Sequence, residues 1–203
     1  MMHTADVLAA IAEHIASPGA PKGARGDAIV ISGRGGRHWM GISDTVLDLP
    51  LGDPAMGGHS GFGLGLALAQ PERRVVLVDS EGDILMSLGQ LVTIAEQAPA
   101  NFYHFILENG VYATTGGQPV PGAEVVDYAG VAKSCGYPRA FNFSDVEAVK
   151  KALPAIFAEP GPVFVALKVT PEVENTPIGQ RVKWRKRTAD RVVAELRREL
   201  GVG

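Results

Sequence analysis

The sequence of 203 residues predicts an α/β protein with a single three-layer domain, in which helices cover both faces of a mostly parallel sheet. Short apolar runs alternate with helical patterns along the chain. These runs lack the alternation of apolar and polar residues that is typical of half-exposed strands, which indicates strands buried on both faces. The length suits one domain over residues 1–203. The predicted strands are 28–32, 75–79, 102–107 and 163–169.

The helical patterns fall between and beyond these strands. Residues 4–15 predict an amphipathic helix, because Val7, Leu8 and Ile11 recur at helical spacing. Residues 56–69 are rich in small residues and predict a closely packed helix, and residues 110–123 predict a long glycine-rich loop. We also expect a basic helical tail at about 181–203. The remaining predicted helices are 83–95, 127–135, 144–158 and 190–200.

Composition narrows the classes of function. The net charge of −3 gives no reason to expect nucleic acid as a partner. The single cysteine, Cys135, excludes a disulfide framework and a site with several thiolate ligands. The longest apolar runs are too short to span a membrane, and the first residues carry no basic signal region. We therefore expect a cytoplasmic protein with no membrane partner.

An acid and an amide follow two successive predicted strands. Glu81 comes just after the strand at 75–79, and Asn109 comes just after the strand at 102–107. The intervening residues hold one helix and one strand, so the two tips can lie side by side at the carboxyl edge of the sheet. Carboxylate, amide and backbone carbonyl oxygens suit Mg²⁺. From spacing alone, both residues could equally be ordinary turn residues.

Longer motifs then resemble a known family. Ile84-Leu85-Met86-Ser87-Leu88-Gly89 is similar to Ile-Leu-Met-Asn-Leu-Gly, and 112–118 is similar to Tyr-Gly-Ser-Thr-Gly-Gly-Gln. Upstream, Ala55-Met56-Gly57 resembles Ser-Met-Gly. These motifs are typical of the diphosphate-binding (PP) module of thiamine-diphosphate (ThDP) enzymes, and most of all of sulfopyruvate and phosphonopyruvate decarboxylases. The likeness extends from the first helix to the last strand and implies the ThDP-binding fold.

The resemblance implies the cofactors ThDP and Mg²⁺ and a role for each matching residue. The metal ligands would be the side chains of Glu81 and Asn109 and the backbone carbonyl of Val111. Met56 would support the bent cofactor, and the carbonyl of Pro54 would hold its aminopyrimidine group. The full implied cofactor set is Ser32, Gly33, Pro54, Met56, Gly57, Ser80, Glu81, Gly82, Asp83, Asn109, Val111 and Tyr112.

His59 follows the cofactor-supporting residue Met56 closely. Histidine titrates near neutrality, so His59 is a candidate catalytic acid or base that faces the substrate. The alternative is a residue at the start of a helix that contacts only backbone.

Three positions depart from the family pattern. Ser80-Glu81-Gly82 replaces Gly-Asp-Gly, Asp83 stands where the family has a small hydroxyl residue, and Glu108 replaces the first asparagine. A longer acid moves the carboxylate, and an extra anion repels a diphosphate unless it is turned away. We expect that restoring the pattern with Glu81→Asp and Asp83→Ser together would tighten ThDP binding.

The resemblance implies one subunit of a two-subunit 2-oxoacid decarboxylase that yields an aldehyde and carbon dioxide. ThDP enzymes need an activating glutamate on a pyrimidine-binding domain, and a chain of this length has no room for that domain. A separate pyrimidine-domain (alpha) subunit in a hetero-oligomer would supply it. Two alternatives remain open: an acetolactate-synthase-like carboligase subunit, and a non-catalytic paralogue with a degraded cofactor site. The substrate would be a small 2-oxoacid whose identity the sequence leaves open.

Overall fold

The computed structural model describes residues 1–16, 28–33, 35–51, 56–181 and 184–202. Six strands form one sheet in the order β2-β1-β3-β4-β8-β7, and every neighbouring pair is parallel. This arrangement confirms the predicted parallel α/β class. The strands of the sheet are β1 (Ile29–Ser32), β2 (Asp48–Leu49), β3 (Val75–Ser80), β4 (Phe102–Glu108), β7 (Arg139–Phe143) and β8 (Val163–Lys168). Between β4 and β7, the short strands β5 (Val111–Tyr112) and β6 (Gln118–Pro119) form an antiparallel hairpin.

Eight α-helices lie in the described ranges, and several match the predicted segments closely. They are α1 (Thr4–Ala16), α2 (Gly36–Ile42), α3 (His59–Ala69), α4 (Glu81–Met86), α5 (Gln90–Gln97), α6 (Tyr128–Ser134), α7 (Val146–Ala158) and α8 (Ala189–Glu199). A short 3-10 helix covers Ile178–Gln180. The single helix predicted at 83–95 is wrong, because Ser87 leaves the helical conformation and separates α4 from α5.

The core has two parts, one on each face of the sheet. Alternate residues of the central strands point to opposite faces, so Leu77 of β3 packs with α3, α5, α6 and α8, whereas Val76 and Val78 pack with α1, α2 and α7. Both faces are therefore covered by helices, as expected of a parallel sheet. The helix α8 in the predicted basic tail contributes Val192 and Leu196 to this core.

None of the described helices is both long enough and apolar enough to cross a membrane.

Candidate active site

Most of the predicted site residues line one cavity at the carboxyl edge of the sheet, whereas Glu81 is fully buried and is not among the lining residues. Strands β3 and β4 pair in register from Val75 opposite Phe102 to Ser80 opposite Leu107, so Glu81 and Asn109 follow neighbouring strands. The cavity has a volume of about 800 Å³, within the range of small-molecule sites. Eight of the twelve predicted cofactor residues line it: Gly33, Met56, Ser80, Gly82, Asp83, Asn109, Val111 and Tyr112.

Glu81 begins α4 directly after β3, and its carboxylate is fully buried. Its Oε1 accepts hydrogen bonds from the backbone N–H groups of Asn109 (2.8 Å) and Gly110 (2.6 Å). Its Oε2 has no hydrogen-bond partner in the described part of the chain. Burial raises the pKa of this carboxyl to about 7, although the two N–H groups act in the opposite direction. A buried carboxylate with one oxygen anchored and the other unpartnered fits a cation ligand.

Asn109 and Val111 provide the other two oxygens of the implied metal site. The Oδ1 atom of Asn109 accepts a hydrogen bond from the Val111 N–H at 2.9 Å, which fixes the side chain at the start of the hairpin. The carbonyl of Val111 accepts from the Ala113 N–H at 3.0 Å. Each of these oxygens has a second lone pair for a cation. Together with Glu81 they form a set of hard oxygen donors, which fits Mg²⁺.

Asp83 lines the cavity, and both oxygens of its carboxylate have partners within the chain. Its Oδ1 accepts a hydrogen bond from the Gly57 N–H at 2.9 Å, and its Oδ2 lies 2.8 Å from Nδ1 of His59. Its own N–H donates to the hydroxyl of Ser80, which caps α4. Asp83 therefore ties the turn before α3 to the turn after β3, and this arrangement accounts for a departure from the family pattern.

The turn that carries Met56 is fixed from two sides. Gly57 has a φ of +78°, and a Cβ added there would lie 2.5 Å from the hydroxyl of Ser87, so only glycine fits without rearrangement. Its carbonyl accepts a hydrogen bond from Gln90 Nε2 at 2.9 Å, while its N–H binds Asp83. The Met56 side chain is 61% exposed and lines the cavity. This position suits a residue that supports a cofactor.

His59 does not occupy the substrate-facing position expected from the sequence. It is the first residue of α3 and only 3% exposed, and it is not among the residues that line the cavity. Its Nδ1 lies 3.6 Å from Oδ1 of Asp79, and Asp83 lies on the same side of the ring. Burial and the charge of Asp83 raise the pKa of Asp79 to about 8. These three residues form a buried polar cluster next to the cavity, so a direct catalytic role for His59 has no structural support.

Three other expectations need comment. Ser32 is fully buried at the end of β1 and does not line the cavity, so its position gives no support for a phosphate contact. Pro54 lies outside the described residues. A Cβ on Gly82 would lie 2.9 Å from the ring of Tyr112, so the absence of a side chain there makes room for Tyr112 as well as for a ligand.

One wall of the cavity comes from a segment that the sequence did not connect to the site. The C-terminal segment, defined here as residues 170–181 and 184–189, contributes several lining residues. It is attached to the hairpin loop, because the Glu174 N–H donates to the Ala113 carbonyl (2.8 Å) and Arg181 donates to the Thr114 carbonyl (2.9 Å). At its other end, Arg187 donates to the carbonyl of Thr45 at 2.6 Å. The clustering of basic residues was the only sequence signal.

Comparison with known proteins confirms the resemblance that the motifs indicated. Residues 34–167 match the family described as thiamine pyrophosphate enzyme, C-terminal TPP binding domain. The chain is 45% identical over 124 residues to the sulfopyruvate decarboxylase subunit beta of Methanothermobacter thermautotrophicus, covering 61% of this chain and 63% of that protein. It is 41% identical over 117 residues to the phosphonopyruvate decarboxylase of Streptomyces viridochromogenes, covering 58% of this chain and 29% of that protein. The chain thus spans less than two thirds of either relative.

Solved structures support the same fold. A 2-oxoglutarate:ferredoxin oxidoreductase from Magnetococcus marinus superimposes with a TM-score of 0.64 over 98% of this chain and 85% of that chain. The sequence identity is 14%, so this likeness concerns the fold alone. The match over residues 34–167 includes the three candidate metal ligands, Glu81, Asn109 and Val111. The chain therefore belongs to the thiamine pyrophosphate enzymes, with residues 34–167 as their C-terminal TPP-binding domain and thiamine diphosphate as the cofactor.

Proposed function

We propose that the chain is the diphosphate-binding subunit of a two-subunit, ThDP- and Mg²⁺-dependent 2-oxoacid decarboxylase. The observation that carries this proposal is the buried carboxylate of Glu81, whose Oε2 is unpartnered in the described chain, in a TPP-binding domain. Asn109 and Val111 line the cavity after the neighbouring strand and complete the oxygen set. The names of the two relatives, sulfopyruvate and phosphonopyruvate decarboxylase, support a 2-oxoacid that also carries a second anionic group.

The chain's own residues would bind and orient the cofactor. When bound, ThDP supplies the electron sink that accepts the electron pair of the broken carbon–carbon bond. Glu81, Asn109 and the Val111 carbonyl would hold Mg²⁺ and through it the diphosphate. Met56 would support the middle of the cofactor from the turn that Asp83 fixes. Ser80 and Gly82 line the same cavity close to the metal ligands.

A separate pyrimidine-domain subunit would complete the site, and the surface of α3 supports such a partner. Helix α3 is apolar around most of its circumference, a pattern that is typical of a helix covered on all sides. In the chain alone, Phe62 is 46% exposed and Leu68 is 49% exposed. Met86 and Val92, from the elements after β3, are also exposed apolar residues. We propose that the partner covers this surface and supplies the activating glutamate.

The test is to purify the chain alone and together with a pyrimidine-domain protein from the same genome. Each sample receives ThDP, Mg²⁺ and a panel of 2-oxoacids that includes sulfopyruvate, phosphonopyruvate and pyruvate, and carbon dioxide and the organic products are measured. We expect carbon dioxide and an aldehyde from the pair and neither from the single chain. The pair carrying Asn109→Ala should lose turnover, because that variant removes one oxygen from the metal site.

Three results would contradict the proposal. Turnover by the single chain would require an activating acid that no separate subunit supplies. A hydroxyketone two carbons longer than the accepting carbonyl compound, formed in place of the aldehyde, would show that the pair is a carboligase. A pair that assembles without binding ThDP would show a non-catalytic paralogue. The cytoplasmic location expected from the sequence stays a prediction, and fractionation of the source cells would test it.

A further inference from the structure

The cavity has more positively charged than negatively charged side chains among its described lining residues. Five lysine or arginine residues line it, against three carboxylates. A cavity with this balance favours anionic ligands. The cations are Arg37, Arg181, Arg185, Lys186 and Arg187, and the carboxylates are Asp83, Glu172 and Glu174.

Most of these cations already serve the fold. Arg181 donates to the carbonyls of Thr114 and Glu174, and it fastens the C-terminal segment to the hairpin loop. Arg187 forms ion pairs with Asp44 at 2.8 Å and with Glu195 at 3.1 Å. The amino group of Lys186 lies 3.9 Å from Asp44. These three cations therefore already have hydrogen-bond or ion-pair partners within the chain.

Arg37 and Arg185 differ from the others. The Arg37 guanidinium binds the carboxylate of Glu172, and both side chains line the cavity and are partly exposed, at 37% and 39%. Arg185 lies over the ring of Trp184, 5.3 Å from its centroid, and no hydrogen bond or ion pair involves it within the described residues. Arg185 is thus an uncompensated cation, and Arg37 holds an anion that belongs to the chain itself.

We infer that Arg37 and Arg185 bind the anionic tail of the substrate, and that Glu172 occupies Arg37 until the tail replaces it. This inference rests on the proposed function, because the tail is the second anionic group of a 2-oxoacid. The ion pair between Arg37 and Glu172 shows that the guanidinium can hold an acid from inside the cavity. When the tail replaces Glu172, one acid is exchanged for another, and the Arg37 guanidinium keeps an anionic partner throughout.

His38 helps to orient Arg37. The Nε of Arg37 lies 3.1 Å from Nε2 of His38, and the same Nε2 lies 3.1 Å from Oε2 of Glu172. Burial lowers the pKa of His38, which favours the neutral imidazole, while the charge of Glu172 acts in the opposite direction. The guanidinium is therefore held by its Nε and presents Nη2 to an acid. His38 is a positioning residue in this arrangement, and Arg37 is the residue that contacts the tail.

The experiment uses two probes that lack the reactive 2-oxo group. 3-Sulfopropionate carries the anionic tail, and butanoate has a methyl group in place of the sulfonate. Each is titrated into the full chain without cofactor, and its dissociation constant is measured by NMR. We expect Arg37→Gln and Arg185→Gln each to weaken 3-sulfopropionate by about tenfold, the value of one charge-assisted contact, with butanoate unchanged. Glu172→Gln should tighten 3-sulfopropionate by several-fold, because it removes the competing anion.

The matched control is Arg198→Gln, which makes the same change on the exposed face of α8, outside the cavity lining. It should leave both probes unaffected. The inference is wrong if the Arg37 and Arg185 variants bind 3-sulfopropionate as the parent does, or if Glu172→Gln weakens it. It is also wrong if inorganic diphosphate displaces the probe competitively, because the two arginines would then serve the cofactor. If the parent chain prefers 3-sulfopropionate to butanoate but does not bind ThDP, only the proposed function is wrong.

Discussion

Replacing Glu81 by glutamine should stabilise the metal-free chain and abolish metal-dependent cofactor binding. The side-chain carbonyl of glutamine can still accept the N–H groups of Asn109 and Gly110, so the contact to the hairpin survives. The difference lies in the charge. Burial raises the pKa of Glu81 from 4.5 to about 7, so the folded chain binds this proton more tightly than the unfolded chain does. The contribution of Glu81 to the free energy of unfolding is therefore largest at pH 4, falls as the pH rises towards 7, and stays low above pH 7.

The magnitude follows from the shift in pKa. A shift of about 2.5 units corresponds to about 3 kcal/mol of unfolding free energy lost between pH 4 and pH 8. Glu81→Gln has no such loss, so at pH 8 it should be more stable than the parent by up to this amount. Urea unfolding in EDTA at pH 5 and pH 8 measures the difference, and calorimetry with ThDP and Mg²⁺ measures binding. A variant that is less stable than the parent at pH 8 would refute the reasoning from the raised pKa, and a variant that binds ThDP like the parent would refute the metal assignment.

The other predictions test the turn before α3 and the buried histidine of β4. Asp83→Ser removes the acceptor of the Gly57 N–H, so urea unfolding should show a loss of about 2 kcal/mol. Calorimetry should show weaker ThDP binding for Asp83→Ser, in contrast to the tighter binding that the family pattern predicts for Glu81→Asp and Asp83→Ser together. Gly57→Ala should cost about 2 kcal/mol, because its φ is positive and Ser87 lies in the way, whereas Gly65→Ala, with open space around it, should be neutral or stabilising. The pKa of His104 is lowered by burial to about 3, so its protonation favours the unfolded chain, and stability falls as pH drops below about 6.5. His104→Phe should remove about 2 kcal/mol of this loss at pH 5, and equal pH dependence in the two proteins would contradict the explanation.

The central sheet was predictable from the sequence because a strand buried on both faces is apolar at nearly every position. β1, β3, β4 and β8 are continuous apolar runs, and each lies within about one residue of its predicted bounds. β2 has only two residues, and the edge strand β7 carries polar residues such as Asn142, so neither shows that pattern. Ser87, where α4 ends, lies against the turn at Gly57, a contact 30 residues away in sequence that local periodicity does not show.

The candidate metal ligands were predictable because each lies at the end of a recognisable strand. The surroundings of the ligands were not. The roles of Asp83 and His59 depend on a contact between a turn and a helix 24 residues apart in sequence. Arg37 and Glu172 are 135 residues apart, and only the folded chain brings them into one cavity. Sequence patterns within one helix or strand do not indicate contacts between residues so far apart in the chain.

The family match ends at residue 167, whereas the cavity wall continues through the C-terminal segment to residue 189. The cavity therefore combines residues of the matched domain with residues beyond it. If the proposed function is right, substitutions in the C-terminal segment, such as at Arg185, can change the substrate contacts without altering Glu81, Asn109 or Val111. Exchanging this segment between relatives would then be a short route to new substrate preferences on an unchanged cofactor scaffold.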